Sequence, residues 1–138
     1  MCLPFPDEAE RTLSKGEHAG FQFQTVYNGS GYRCGYVRVE PGHPWFGKHY
    51  DHIEAEVHGG LTFADPGKPC PTHGAEAEWW VGFDCAHGGD APDPIFACKF
   101  RENFMRSVLE GPLGYGTVRD QEYVDAECRS LCEQAAKA

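Results

Sequence analysis

"FQFQTVYNGSGYRCGYVRVE", residues 21–40, decides how this chain is read. Phe21, Phe23, Thr25 and Tyr27 alternate with Gln22, Gln24 and Val26, the period-two pattern of a strand with two different faces. Asn28-Gly29-Ser30-Gly31 follows, and Asn and Gly accept the positive φ that a tight turn needs. Residues 32–40 then return as a second strand. A hairpin over 21–40 is the expectation, and it makes a β-containing fold the starting point.

Working outward, 53–64 reads as a strand with Ile53, Ala55 and Val57 on one face and Glu54, Glu56 and His58 on the other. Residues 78–84 read as another, with Trp79, Val81 and Phe83 on one side and Glu78, Trp80, Gly82 and Asp84 on the other. Between them, 41–52 and 65–77 are Pro- and Gly-rich loops. Upstream, 7–15 is expected to be a short helix capped by Asp7 and stopped by Gly16. Downstream, 95–111 fits a helical repeat of Phe96, Phe100, Phe104 and Val108 but has no clear cap. Asp120 is placed to cap a helix over 121–136, with Val124, Cys128, Leu131 and Ala135 on one face. Strands first and helices last imply an α+β fold: a mainly antiparallel sheet with the C-terminal helix packed on one face. The 138 residues suit a single domain, 1–138.

The formal charge is -9. That disfavours duplex nucleic acid or an anionic membrane surface as partner, while a local pocket with Arg33, Arg38 or Lys48 can still attract a small phosphorylated ligand. The seven cysteines are an odd number and the chain opens without an apolar leader. Reduced thiols and a cytoplasmic location are therefore expected. No apolar stretch has the length of a membrane span.

Two strands end in the same way. "EVHGG", 56–60, breaks at His58 on Gly59-Gly60, and "DCAHGGD", 84–90, carries Asp84, His87 and Asp90 around Gly88-Gly89. Glycine pairs permit a bulge or a close backbone approach. If strand 78–84 lies beside 53–58, then Glu54, Glu56, His58, Glu78 and Asp84 share a polar face, with His87 and Asp90 at its mouth. That face suits ribose hydroxyls, acid–base work or a divalent metal, and it equally suits a solvated sheet surface. The expected separation of the His58 and His87 rings is on the order of 10 Å or less, two strand spacings. Cys70-x-x-His73 with Cys85-x-His87 offers four zinc donors, but the spacing is not that of a zinc ribbon. A Cys85–His87 nucleophile–base pair fails because residues two apart rarely present thiol to imidazole. Trp45-Phe46, inside a Pro/Gly loop, suits stacking on a base, an interface, or simple anchoring.

"GYRCGYV" (31–37), "GHPWFGKHYD" (42–51), "EVHGGLTF" (56–63) and "WWVGFDCAHGGD" (79–90), with the "YV…E" segment of the last helix, resemble a family of small phage and actinobacterial proteins of mostly unassigned function. The resemblance implies a phage accessory protein in the host cytoplasm, a class that includes anti-defence proteins that sequester nucleotide immune signals as homo-oligomers. The expected function is therefore binding and sequestration of a small nucleotide-type ligand. Its site would comprise His58, Gly59, Gly60, Asp84, His87, Asp90, Glu56, Arg33 and Trp45, with no metal or cofactor assigned. The rival is a metal-dependent hydrolase of a nucleotide or phosphoester using Glu56, His58, Asp84, His87 and Asp90. A third reading is a protein-interaction module that blocks a host defence enzyme through Trp45-Phe46.

Overall fold

A computed structural model describes residues 12–28, 31–66, 78–97 and 116–138. The expected α+β architecture is present: one five-stranded antiparallel sheet with a long C-terminal helix against it. The strands are β1 (Thr12–His18), β2 (Phe21–Tyr27), β3 (Arg33–Val39), β4 (Phe63–Asp65) and β5 (Trp79–Asp84). Their order across the sheet is β1-β2-β3-β5-β4. A two-residue parallel pair, β6 (Asp90–Ala91) with β7 (Thr117–Val118), ties the loop after β5 to the segment before the last helix. The helices are a short α1 (Pro94–Ala97) and α2 (Gln121–Lys137).

The 21–40 hairpin forms as its pattern predicts, with Phe23 opposite Val37 and Thr25 opposite Gly35. Both faces of the sheet are buried. Phe23, Val37, Val39, Val81 and Phe83 meet α2, whereas Val26, Cys34, Tyr36 and Trp80 form a second apolar cluster on the other side. This double burial explains why β5 is apolar at both Trp79 and Trp80 rather than strictly alternating.

Three expectations need correction. Residues 12–15 belong to a strand, not a helix, and residues 7–11 lie outside the described residues. Ala19 (φ 53°) and Gly20 (φ 87°) form the tight turn into β2, an uncommon use of Ala that hides the hairpin from a turn search. The strand expected over 53–64 is a strand only at Phe63–Asp65. Residues 53–57 do turn Ile53, Ala55 and Val57 toward the core, but Glu56 exchanges its backbone N–H and C=O bonds with the Gln134 side chain of α2. Alternation thus reports burial here, without a ladder partner. Consequently β5 lies beside β3 and β4 instead of beside 53–58. Of the ambiguous segment 95–111, the described part continues α1 to Ala97 and the rest lies outside the described residues.

α2 is capped as read: Asp120 Oδ1 accepts from the Tyr123 N–H at 2.8 Å. Val124, Cys128, Leu131, Cys132 and Ala135 are its buried stripe. A polar bracket fixes its first turn to the sheet, because Gln121 Nε2 donates to Thr25 Oγ1 (2.8 Å) and to Asp125 Oδ1 (2.9 Å). At its last turn, the His43 ring donates from Nε2 to the Ala135 carbonyl at 2.8 Å and accepts the Trp45 N–H at Nδ1.

Helix and sheet approach closely at Gly35, where a Cβ would lie 2.6 Å from both Cys128 Sγ and the Phe83 ring. Gly35→Ala is therefore expected to lower stability by about 1–3 kcal/mol through overpacking. Urea denaturation checks this, and an unchanged midpoint would contradict the tight helix–sheet contact.

Candidate functional site

The two Gly-Gly breaks meet. The His58 and His87 ring centroids are 5.9 Å apart, on one rim of the sheet and next to the N-terminal turn of α2. Gly59 makes this possible: at φ +69° a Cβ there would lie 2.2 Å from His87 Cε1, so the imidazole rests directly against the backbone. The close approach inferred from the glycines is what the fold contains at this point.

Asp90 is the centre of the cluster. Its side chain is only 1% exposed, yet it meets three donors from three parts of the chain. Oδ1 accepts from Arg119 Nε at 2.9 Å. Oδ2 lies 2.8 Å from His58 Nε2 and accepts the His87 backbone N–H at 3.0 Å. Burial alone would push this carboxyl's pKa up, but the bonds from Arg119, His58 and His87 outweigh it and hold the group below its ordinary value. His58 is held from its other side as well, with Nδ1 2.8 Å from the Tyr123 hydroxyl. The Arg119 guanidinium stacks over the Tyr123 ring at 5.2 Å.

His87 is the accessible member, with 35% of its side chain exposed. Its Nδ1 lies 3.6 Å from Asp84 Oδ1 and 3.8 Å from Asp90 Oδ2, and it has no hydrogen-bond partner among the described residues. Asp84 itself accepts from the Thr62 hydroxyl (2.9 Å) and from the Ala86 N–H (3.1 Å). Among the described residues, His58, His87 and Asp90 each offer a metal-binding atom, and these atoms lie within 4.8 Å of one another.

Of the residues singled out in the sequence, His58, Gly59, Asp84, His87 and Asp90 come together. Gly60 follows at φ +81° with open space beside it. Glu56 is tied to Gln134 through its backbone. Glu78 is fully buried on the other side of the sheet, 3.7 Å from Arg38 and bonded by the Trp80 indole. Arg33 is buried too: it pairs with Asp93 at 3.0 Å and donates to the Arg119 carbonyl and to Gln121. It braces the segment that carries Arg119. Trp45 is 5% exposed and belongs to the core, where its ring meets His43. Cys70 and His73 lie outside the described residues.

Two members were missed. Arg119 sits just outside the helix pattern, and Tyr123 stands in the "YV…E" segment of the last helix with no role assigned to it. Only the Asp120 cap, which orients the first turn, offered a clue to either. Two concavities, about 410 and 390 Å³, lie elsewhere, one near Arg38 and His43 and the other near Trp45 and Lys48. Neither is lined by the histidine cluster.

Among the described residues, the thiols near the cluster are poor nucleophiles. Cys85 is buried and its thiol is pushed up to about 12, first by burial and then by Asp90. The Cys128 thiol is likewise pushed up, chiefly by burial. Both ring nitrogens of His58 are engaged, which leaves His87 as the imidazole open to a ligand.

Neither protein-family models, nor curated proteins, nor solved structures match this chain.

The Gly59–His87 contact can be isolated. Gly59→Ala is expected to cost about 1–3 kcal/mol more than Gly60→Ala, since both face a strained φ but only Gly59 also meets a ring. In a His87→Ala background the two substitutions should cost the same, a double-mutant cycle read by urea denaturation. An equal cost in the wild-type background would contradict the contact.

Proposed function

We propose that this protein binds a small phosphorylated ligand of nucleotide type at the His58–His87–Asp90–Arg119 rim and sequesters it without turning it over. The observation that carries this reading is the mixture of groups gathered at one edge. Arg119, with 29% of its side chain exposed, and His87 supply donors, while Asp84 and Thr62 supply oxygens that can meet ribose hydroxyls. The buried, high-pKa Cys85 argues for holding over covalent catalysis. The resemblance to small phage proteins favours a defence signal in a host cytoplasm as the ligand. No helix among the described residues is long and apolar enough to cross a membrane.

A metal-dependent hydrolase of the same ligand class is the second reading, favoured by the three close donor atoms of His58, His87 and Asp90. The interaction-module reading has less support, because the Trp45 side chain proposed as its anchor is packed in the protein's own core.

The test is incubation with a panel of cyclic dinucleotides, ADP-ribose and mononucleotides, followed by thermal shift and by chromatography of what heat releases. Sequestration predicts a raised Tm and intact ligand. His87→Ala and Arg119→Gln should lose the shift; His87→Ala should leave stability nearly unchanged because a rim ring contributes little packing. A cleaved product that disappears with chelator supports the hydrolase instead. If no nucleotide shifts the Tm, the ligand reading is wrong.

A further inference from the structure

The rim has a charge problem as a phosphate site. With neutral imidazoles, Asp84 and Asp90 outweigh Arg119, so this group of five side chains carries one net negative charge. A polyanion gains little there. The geometry of the same residues suggests what corrects the sign.

We propose that His58, His87 and Asp90 hold one divalent first-row transition ion of the zinc class. This rests on the rim being the working site, and it concerns the metal alone, whichever ligand the rim takes. With donor bonds of about 2.0–2.1 Å, neighbouring ligands of a tetrahedral ion lie about 3.4 Å apart. The His58 Nε2–Asp90 Oδ2 distance of 2.8 Å and the His87 Nδ1–Asp90 Oδ2 distance of 3.8 Å fall on either side of that value. All three donor atoms lie within 4.8 Å of one another, so side-chain shifts that close the wider gaps bring them into range. Two imidazoles and one carboxylate are a donor set that suits zinc and its neighbours, and hard calcium or magnesium ions poorly.

The partners around the three donors are those a metal centre requires. Asp90 keeps Oδ1 on Arg119 and has Oδ2 toward both histidines. A ligating carboxylate is usually steadied through its second oxygen in this manner. His58 meets the Tyr123 hydroxyl at Nδ1, leaving Nε2 as the donor. A hydroxyl both donates and accepts, so the Tyr123 O–H can donate a hydrogen bond to Nδ1 when Nε2–H bonds Asp90, and its oxygen can accept one from Nδ1–H when Nε2 binds metal. The Tyr123 hydroxyl also lies 3.4 Å from Glu127 Oε1, an acceptor for its proton in the second state. His87 contributes a ring nitrogen that no described residue satisfies. The close approach at Gly59 holds that ring in place.

Three protein donors leave at least one coordination position for water or a ligand oxygen. A divalent ion also turns the net charge of the five side chains from minus one to plus one. Metal and Arg119 together then suit a phosphate group, so the ion strengthens sequestration and would equally serve the hydrolytic reading.

The experiment uses the full chain, stripped with chelator and kept reduced, and titrated with zinc by calorimetry and with cobalt by visible absorption. One equivalent should bind, with cobalt bands characteristic of nitrogen and oxygen ligands. His87→Ala should remove stoichiometric binding and leave the fold intact, since its side chain is 35% exposed; Asp90→Asn should also remove binding, with circular dichroism reading how far the loops that the carboxylate holds together loosen. Tyr123→Phe and Arg119→Gln should each weaken binding by about 10–100-fold. Magnesium and calcium should not compete. Absence of saturable binding overturns the proposal. So does binding that survives His87→Ala, or cobalt spectra dominated by thiolate charge transfer, which would assign the ion to cysteines such as Cys70. The nucleotide panel run with and without zinc separates the two ideas. Zinc binding without any nucleotide shift removes the ligand reading and leaves the metal site standing, and a nucleotide shift without zinc binding does the reverse.

Discussion

One buried carboxylate organises the working end of this protein. Asp90 is almost wholly removed from water, and an ionised carboxylate there must be met by donors or it becomes very costly. The donors come from three separate stretches: His58 from the irregular segment after residue 57, the backbone of His87 from the loop leaving β5, and Arg119 from the lead into α2. Bonds to an ionised acceptor are stronger than those between neutral groups. The result is that three otherwise independent loops have one shared arrangement. The rest of the fold sets their starting points, through the β3–β5 pairing and the docking of α2.

Supporting contacts radiate from that carboxylate. Arg33, buried at the start of β3, grips the Arg119 carbonyl and pairs with Asp93, so it ties the segment just after Asp90 to the segment that carries Arg119. Gln121 ties the first turn of α2 to Thr25 of the sheet, which fixes where Tyr123 can meet His58. The sheet–helix core at Gly35 and Cys128 transmits this placement to the rest of the molecule. The accessible His87 ring is consequently presented by rigid neighbours, a favourable starting condition for any ligand site.

Local patterns in the sequence were legible where the physics is local. The alternation of 21–27 and the Asp120 cap each depend on residues a few positions apart, and each forms as read. His58 and His87 were found together because the glycines beside them report backbone proximity, a tertiary fact written locally. β1 was missed because Ala19 occupies a turn position that normally signals itself through Asn or Gly. Residues 53–57 show strand alternation but bond to α2, since period-two burial needs only an extended chain. Arg33 and Trp45 looked available to a ligand because a one-dimensional pattern does not say what covers a side chain. Arg119 and Tyr123 join the cluster only through the position of α2, which no local pattern fixes.

The bond between His58 and Asp90 underlies both the brace and the metal site, because each requires Nε2 to face that carboxylate. Long-range nitrogen–proton NMR correlation of the His58 ring in the metal-free protein tests it most directly. The expected result is a proton on Nε2, strongly deshielded by Asp90 and lost from that position in Asp90→Asn or on adding zinc. An Nε2 without a proton in the metal-free wild type, or a ring whose signals are indifferent to Asp90→Asn, would contradict the account.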